Sequence, residues 1–325
     1  MSNILLTIII PCFNADNYIE ETLHSIICQM KDSIEILIID DGSTDNTSQK
    51  ILQIQNHFKH NIFYYKQDNS GASSARNNAI NYANGEYIWF VDSDDLIAEG
   101  AIDFVLEKIS QNFPDLIHFN FSCLNGDEHK INKNQLIFDG KGQDFVNAAL
   151  LQDKFSITTW SNIINLDFLK KSKVLFTEGI VVEDEEFYLK LFCLADKIVS
   201  FNNPLYIYRI REDSIAHSVN HIQKRTESKF IIFNNIQFFL FQNTCISDNT
   251  YDTVSTYLVF LILFDYCLID SRSPEKKALK KQIKQMKLHK NMKSHLLKYR
   301  VFKIFYVICP DLLLNVLSEH LRRRS

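Results

Sequence analysis

Through the first hundred residues, short apolar runs alternate with stretches whose apolar residues return every three or four positions. Residues 4–10 form a continuous, β-branched run and predict a buried strand. Ile19, Leu23, Ile26 and Ile27 then mark one helix face, with Asn14 or Asp16 as the expected N-cap. Residues 34–39 predict a second strand, followed by a helix to Phe58 with Ser43 or Thr44 at its cap. Residues 62–65 predict a third strand, residues 72–83 a helix stopped by Gly85, and residues 86–91 a fourth strand. Such alternation argues for βαβ units and a mainly parallel sheet. Right-handed crossovers place the strand C-terminal ends on one edge, where open α/β sheets bind their ligands. Residues 11–14, 40–45 and 92–95 all follow strands and so share that edge.

Farther along, the pattern predicts a helix over 99–111, a strand over 116–121, a mixed segment to Phe138 and a helix over 144–151. Residues 160–171 and 183–194 read as helices, and 197–201 and 205–210 as strands. From 221 onward come three or four helices, over 221–243, 250–269, 275–298 and 301–318, with Pro274 and Pro310 as breaks.

Composition sharpens this division. With 325 residues and 46% hydrophobic content the chain can build one large α/β domain plus an appendage. All eight glycines lie at or before Gly179. From Arg272 onward 15 Lys and Arg face 3 Asp and Glu, against 20 and 36 before it. The seven cysteines contain no C-x-x-C pair and read as reduced thiols of a cytoplasmic protein. Residues 4–10 lack a basic flank and are not a signal peptide. Residues 257–269, interrupted by Asp265, are too short to span a bilayer.

Three carboxylates crowd into Asp92-Ser93-Asp94-Asp95 at the end of the fourth strand. At ~5 Å and an effective dielectric of ~20, each like-charge pair costs roughly 3 kcal/mol. A divalent cation relieves that cost, and Mg²⁺ or Mn²⁺ takes one or two carboxylates while phosphate oxygens and water complete its shell. Asp94 is the first candidate ligand; Asp92 reaches the metal or a ribose. Asp95 reads as a helix cap or a loop hydrogen-bonder. Asp40-Asp41-Gly42-Ser43-Thr44-Asp45 is a second strand–acid–glycine turn, and it leaves Asp41 without a structural role.

Residues 7–14 (TIIIPCFN), 38–45 (IIDDGSTD), 69–77 (NSGASSARN) and 85–95 (GEYIWFVDSDD) resemble, in order and spacing, the family 2 glycosyltransferases. The resemblance implies a GT-A nucleotide-diphospho-sugar transferase fold, an α/β architecture with a Rossmann-like mixed sheet. It also implies inverting sugar transfer. It divides the chain into a catalytic domain over 1–218, with 1–115 for the nucleotide sugar and 116–218 for acceptor and catalysis, and a helical, basic extension over 219–325. By the same resemblance Pro11 and Asn14 border the base and Asp41 pairs with uracil. Arg76 faces base or diphosphate, and Asp92-Ser93-Asp94 is the Asp-x-Asp element that holds ribose and metal.

Inverting transfer needs a carboxylate to take the acceptor hydroxyl proton. Residues 180–187 (IVVEDEEF) resemble the family's Glu-Asp element, which makes Asp184 the base and Glu183 its supporting acid. Glu185 and Glu186 oppose the dipole of a first helical turn. Trp160 matches a segment beside the acceptor, where it stacks on a sugar or packs in the core. Arg209 or His217 matches a segment that contacts the diphosphate.

No Gln-x-x-Arg-Trp is present, which argues for addition of one or a few sugars. A pyrophosphorylase needs a Gly-rich basic loop after the first strand and a nicotinamide dehydrogenase a Gly-x-Gly-x-x-Gly; Pro11-Cys12-Phe13-Asn14 supplies neither. The expected partners are a UDP-linked sugar and a glycan or lipid-linked acceptor. The basic tail suits peripheral contact with anionic lipid on the cytoplasmic face of the inner membrane, and no nucleic-acid motif accompanies it. A catalytically silent glycan- or lipid-binding protein on the same scaffold is the alternative of another class.

Overall fold

The structure, a computed structural model, describes residues 4–58, 61–126, 128–132, 135–152, 154–155, 157–211, 222–269 and 274–286. It divides into two compact units. The first comprises Met1–Phe145, Lys154–Gly179 and Glu183–Arg211; the second comprises Val146–Asp153, Ile180–Val182 and Glu212–Ser325.

The first unit is built on one mixed sheet. Its opening half alternates β1 (Leu6–Cys12), α1 (Ile19–Ile27), β2 (Ile34–Asp40), α2 (Thr47–His57), β3 (Ile62–Lys66), α3 (Ala72–Tyr82) and β4 (Tyr87–Phe90). β5 (Leu96–Ile97), α4 (Ala101–Asn112), β6 (Leu116–Asn125), β7 (Glu128–Ile131) and β8 (Phe138–Gly140) follow, and α5 (Gly142–Leu151) begins in this unit, its residues from Val146 on belonging to the second. A 3-10 turn (Thr159–Ser161) then leads to β9 (Asn162–Asn165), α6 (Leu166–Ser172), α7 (Glu183–Leu194) and β10 (Ile198–Arg209). The strand order is β3-β2-β1-β4-β9-β6-β10-β5, with β7 on β6 and β8 on β10.

β1 pairs parallel with β2 and β4, and β2 with β3, so the loops after β1, β2 and β4 do emerge on one edge. Every residue of β1 and β2 is buried, as expected of mostly apolar strands covered on both faces; the polar Thr7 and Glu35 within them hydrogen-bond each other at 2.7 Å. Each fully buried Ile there contributes about 2 kcal/mol of burial free energy. Trp89, Ile163 and Phe119 continue the same core across β4, β9 and β6.

The structure corrects several local expectations. Residues 160–171 are not one helix: β9 runs antiparallel between β4 and β6 before α6 begins. The two strands expected over 197–210 are one, β10, whose register slips on either side of Pro204, a residue with no N–H to give. Neither Asn14 nor Asp16 caps α1, which starts at Ile19, and neither Ser43 nor Thr44 caps α2. Asp45 instead accepts from the Thr47 N–H at 3.0 Å. α3 ends at Tyr82, before Gly85. Gly85 serves a close approach: a Cβ there would lie 2.6 Å from the Thr7 amide nitrogen.

The second unit holds α8 (Ile222–Gln242), α9 (Asp248–Leu268) and α10 (Pro274–Met286). Ser247 caps α9 by accepting from Thr250 N–H. Asp265, the charge inside the apolar run, is buried and paired with Arg225 at 3.1 Å and Lys229 at 3.0 Å on α8. Among the described residues no helix is long and apolar enough to cross a membrane. The helix expected over 275–298 is described as far as Met286; the one over 301–318, and Arg322 to Arg324, lie outside the described residues.

Candidate active site

The loops after β1 and β2 are stitched together. Asn14 takes a left-handed conformation (φ 49°), its N–H donates to Ser43 Oγ at 3.0 Å, and its Oδ1 accepts from Thr44 N–H at 2.9 Å. Ala15 N–H donates to Thr47 Oγ1 at 2.7 Å, and Asp16 N–H to Asp45 at 3.2 Å. Pro11 is buried within β1, opposite Ile39, and opens this edge. Asp40 is wholly buried. Burial raises its carboxyl's pKa, but hydrogen bonds from Ser43, Ser48 and Tyr64 outweigh that and hold it below the usual range.

Asp41 is 4% exposed and faces the segment before α3. Its Oδ1 accepts from Gln67 Nε2 and Ser70 N–H, both at 2.8 Å, and its Oδ2 from Gly71 N–H at 2.7 Å. Gly42 permits that approach, with φ 80° and a hypothetical Cβ 3.0 Å from the Asn69 nitrogen.

The acid turn after β4 is held by α1 on one side and β10 on the other. Thr22 on α1 donates to the Ser93 carbonyl at 3.0 Å. Tyr206 on β10 accepts from Asp92 N–H at 3.1 Å and donates to Asp95 Oδ2 at 2.8 Å. Arg209 donates its N–H to Asp95 Oδ1 at 2.7 Å. Asp95 is therefore a buried hydrogen-bonder joining the turn to β10, not a helix cap. Burial and the charges of Asp92 and Asp94 push its pKa up to about 8. Burial and Asp92 also raise Asp94, while Arg211 pulls it down.

Arg76 reaches from α3 to the start of α7. It is 6% exposed. Its guanidinium donates to Glu183 Oε1 at 2.5 Å and to Asp92 Oδ1 at 3.2 Å, and lies 5.4 Å from the Phe176 ring centroid. Its Nε–H is buried and has no partner among the described residues. One cation thus joins the turn after β4 to the acid cluster of α7, and the two halves of the predicted site meet in the first unit. Asp184, partly buried beside Glu183, has its carboxyl raised well above the usual range by burial and by Glu183 and Glu185. Its Oδ1 accepts from Glu185 N–H at 3.0 Å. Val182, just before α7, has φ 58°, an uncommon backbone for a β-branched residue.

Trp160 is no open platform. It is 6% exposed, stacks on Tyr206 with ring centroids 4.4 Å apart and meets Phe121 edge-on. Its backbone carbonyl accepts from the Trp89 indole at 2.8 Å. Of the two readings of this residue, core packing is the one observed. Arg209 does lie at the acid turn, donating Nε–H to the Asp94 carbonyl at 2.9 Å and NH2 to Glu21 at 2.6 Å. His217 lies outside the described residues.

Three residues here escaped the sequence reading: Tyr206, which bridges Asp92 and Asp95; Arg211, which pairs with Asp94 at 2.8 Å; and Tyr18, whose ring lies under Arg209 and Arg211. The stretch Tyr206-Ile207-Tyr208-Arg209, which also carries Arg209, was the available signal for the first.

Among the described residues no group of three or more His, Cys, Asp or Glu side chains is arranged to hold a metal alone. The oxygen donors of Asp92 and Asp94 nevertheless fit a hard divalent ion that draws its other ligands from phosphate and water.

A mixed sheet of this order, with acid turns gathered at the carboxyl ends of its parallel strands, is the GT-A glycosyltransferase architecture. The sequence profile of glycosyl transferase family 2 matches residues 7–171, and the chain belongs to that family. Glycosyltransferase GlyG of Streptococcus pneumoniae is 31% identical over 227 residues, 66% of this chain and 73% of that protein. Glycosyltransferase GlyA of the same organism is 32% identical over 226 residues, 65% of this chain but 31% of that longer protein. In fold, the chain is similar to residues 1–349 of Staphylococcus aureus TarS, solved in complex with UDP-GlcNAc. The TM-score is 0.74 at 17% identity, covering 99% of this chain and 92% of that one.

Proposed function

We propose that the chain is an inverting glycosyltransferase that moves a sugar from a nucleotide-diphospho-sugar, with UDP as the leaving group, to a hydroxyl of a lipid-linked or surface-glycan precursor. The observation that carries this reading is Arg76, which pairs with Asp92 on the donor edge and with Glu183 beside the candidate base. The UDP-GlcNAc complex of TarS, on the same fold, supports the choice of donor.

The roles follow from the contacts. Asp41 uses three of a carboxylate's roughly four acceptor sites, leaving one for the N3–H of uracil. Pro11 and Asn14 border the base. Asp94 and Asp92 would hold Mn²⁺ or Mg²⁺, which when bound neutralises charge on the leaving diphosphate. Asp184 takes the proton of the acceptor hydroxyl as that oxygen attacks the anomeric carbon and the bond to the diphosphate breaks. Its raised pKa moves it toward neutrality, where a general base works best. Glu183, engaged by Arg76, keeps that guanidinium beside Asp184. The catalytic domain spans 1–218 and the basic extension 219–325, which holds the enzyme peripherally on the cytoplasmic face of the inner membrane.

The test is transfer of labelled sugar from a panel of α-linked UDP-sugars, with Mn²⁺, to extracted glycolipids, and assignment of the product anomer by NMR. A β-linked product that disappears in Asp184→Asn is expected. An α-linked product, or undiminished transfer by the variant, overturns the proposal.

A further inference from the structure

Asp94 already has a cation. Its Oδ2 accepts from Arg211 NH2 at 2.8 Å, while Arg209, two residues earlier, holds the Asp94 carbonyl through Nε at 2.9 Å. Both guanidinium groups lie against one ring, 5.3 Å and 5.5 Å from the centroid of Tyr18, the residue just before α1. The end of β10, the turn after β4 and the entry to α1 thus converge on a patch where charges alternate in sign. Asp92, Glu21 and Asp95 are the other acids in it: Asp92 pairs with Arg76, Glu21 pairs with Arg209, and Asp95 accepts from the Arg209 N–H.

We propose that Arg211 is the resident counter-ion of Asp94, and that the donor's diphosphate, rather than a divalent metal by itself, draws it away. The inference rests on the reading of Asp94 as a metal ligand. A divalent cation that arrives alone must expel a guanidinium and then sit beside Arg209 and Arg211 with no added negative charge. With a diphosphate present, Arg211 exchanges a carboxylate for phosphate oxygens, which its planar fork fits equally well. Tyr18 keeps both guanidinium planes at hand through that exchange, by cation–π contact. Metal and nucleotide therefore bind as a coupled pair, and the coupling is reciprocal. Arg211 acts as a positioning residue that keeps the site from filling with metal before the sugar donor arrives.

The experiment measures Mn²⁺ binding to the full chain by electron paramagnetic resonance, with and without UDP, and UDP binding in Mn²⁺ by calorimetry. The wild-type chain binds Mn²⁺ weakly alone and far more tightly with UDP. Arg211→Gln is expected to tighten Mn²⁺ alone by about tenfold and to weaken UDP by about tenfold, the size of a partly exposed charge pair. Arg211→Lys restores weak binding of the lone metal. Opposite signs on the two ligands are not produced by structural damage, which weakens both. Unchanged Mn²⁺ affinity in Arg211→Gln, or a loss for both ligands, overturns the proposal. Asp94→Asn separates the two levels. If it binds Mn²⁺ like the wild type, the metal reading falls. If it loses Mn²⁺ while Arg211→Gln is silent, the role of Arg211 alone falls.

Discussion

Arg76 and Glu183 stand 107 positions apart in the chain and 2.5 Å apart in space. That ion pair closes the distance between the Asn-rich α3 and an acid-rich helix start, and Asp92 shares the same guanidinium.

Replacing Arg76 by Ala strands two acids around a buried gap. Breaking such a pair costs roughly 3 kcal/mol, so Arg76→Ala should melt well below the wild type and bind no UDP. Arg76→Lys keeps the charge but not the two-pronged geometry. It should keep most of the stability and lose at least about tenfold in turnover. Thermal melts and sugar-transfer rates decide this.

Asp184→Asn should separate stability from activity. The carboxyl's folded-state pKa is raised, so the stability it gives is complete below its unfolded value, about 4, and is lost as pH rises through the folded value. At neutral pH the Asn variant should therefore be more stable than the wild type, and the gap should close near pH ~4. Turnover should fall by about a hundredfold or more, with UDP affinity kept. The wild-type rate should rise with pH through the raised value. Melting curves across pH, beside initial rates, test both halves.

Tyr206→Phe removes one hydroxyl and two hydrogen bonds, leaving Asp92 N–H and Asp95 Oδ2 without that partner while the ring stays stacked on Trp160. The expected cost is about 2 kcal/mol, with weaker Mn²⁺ and UDP binding from a loosened acid turn. Trp160→Phe should lower stability and leave the acceptor KM unchanged, because its ring is enclosed. A KM effect without destabilisation would return that residue to the acceptor.

His118 on β6 is a buried imidazole hydrogen-bonded to Asn162 at 2.8 Å, and burial lowers its pKa to about 4. Its neutral form is favoured in the fold, so stability is full above the unfolded value near 6.5 and falls as pH drops from there toward 4. The loss amounts to about 3 kcal/mol over that window. An NMR titration should find the ring neutral down to about pH 4, and His118→Gln should flatten the acid limb of the stability curve. A ring that titrates near 6.5 contradicts the assignment.

The first half of the sheet was legible because its signals are local. β1, β2 and β4 are mostly apolar runs, and acid turns follow β2 and β4 directly. β9 was not legible, since Trp160, Ile163, Ile164 and Phe168 fall at helical spacing by coincidence. Sheet pairing on both sides overrides that pattern. The Asp184 cluster was found through its motif, but nothing in α3 announces that Arg76 reaches it. A lone Arg past a strand end, such as Arg211, looks the same on paper whether it is solvated or salt-bridged. Tyr206 alternates correctly as a strand residue, and only its hydroxyl, which no periodicity encodes, ties down the acid turn.

The sharing of one buried guanidinium by Asp92 and Glu183 also governs how this sequence can drift over generations. Losing Arg76 leaves two carboxylates without their shared cation, whereas losing either acid leaves the other still paired with it, so the arginine is the least replaceable of the three. Exchanging Arg76 and Glu183 together for apolar residues still leaves Asp92, whose side chain is 32% exposed, to find its counter-charge in solvent.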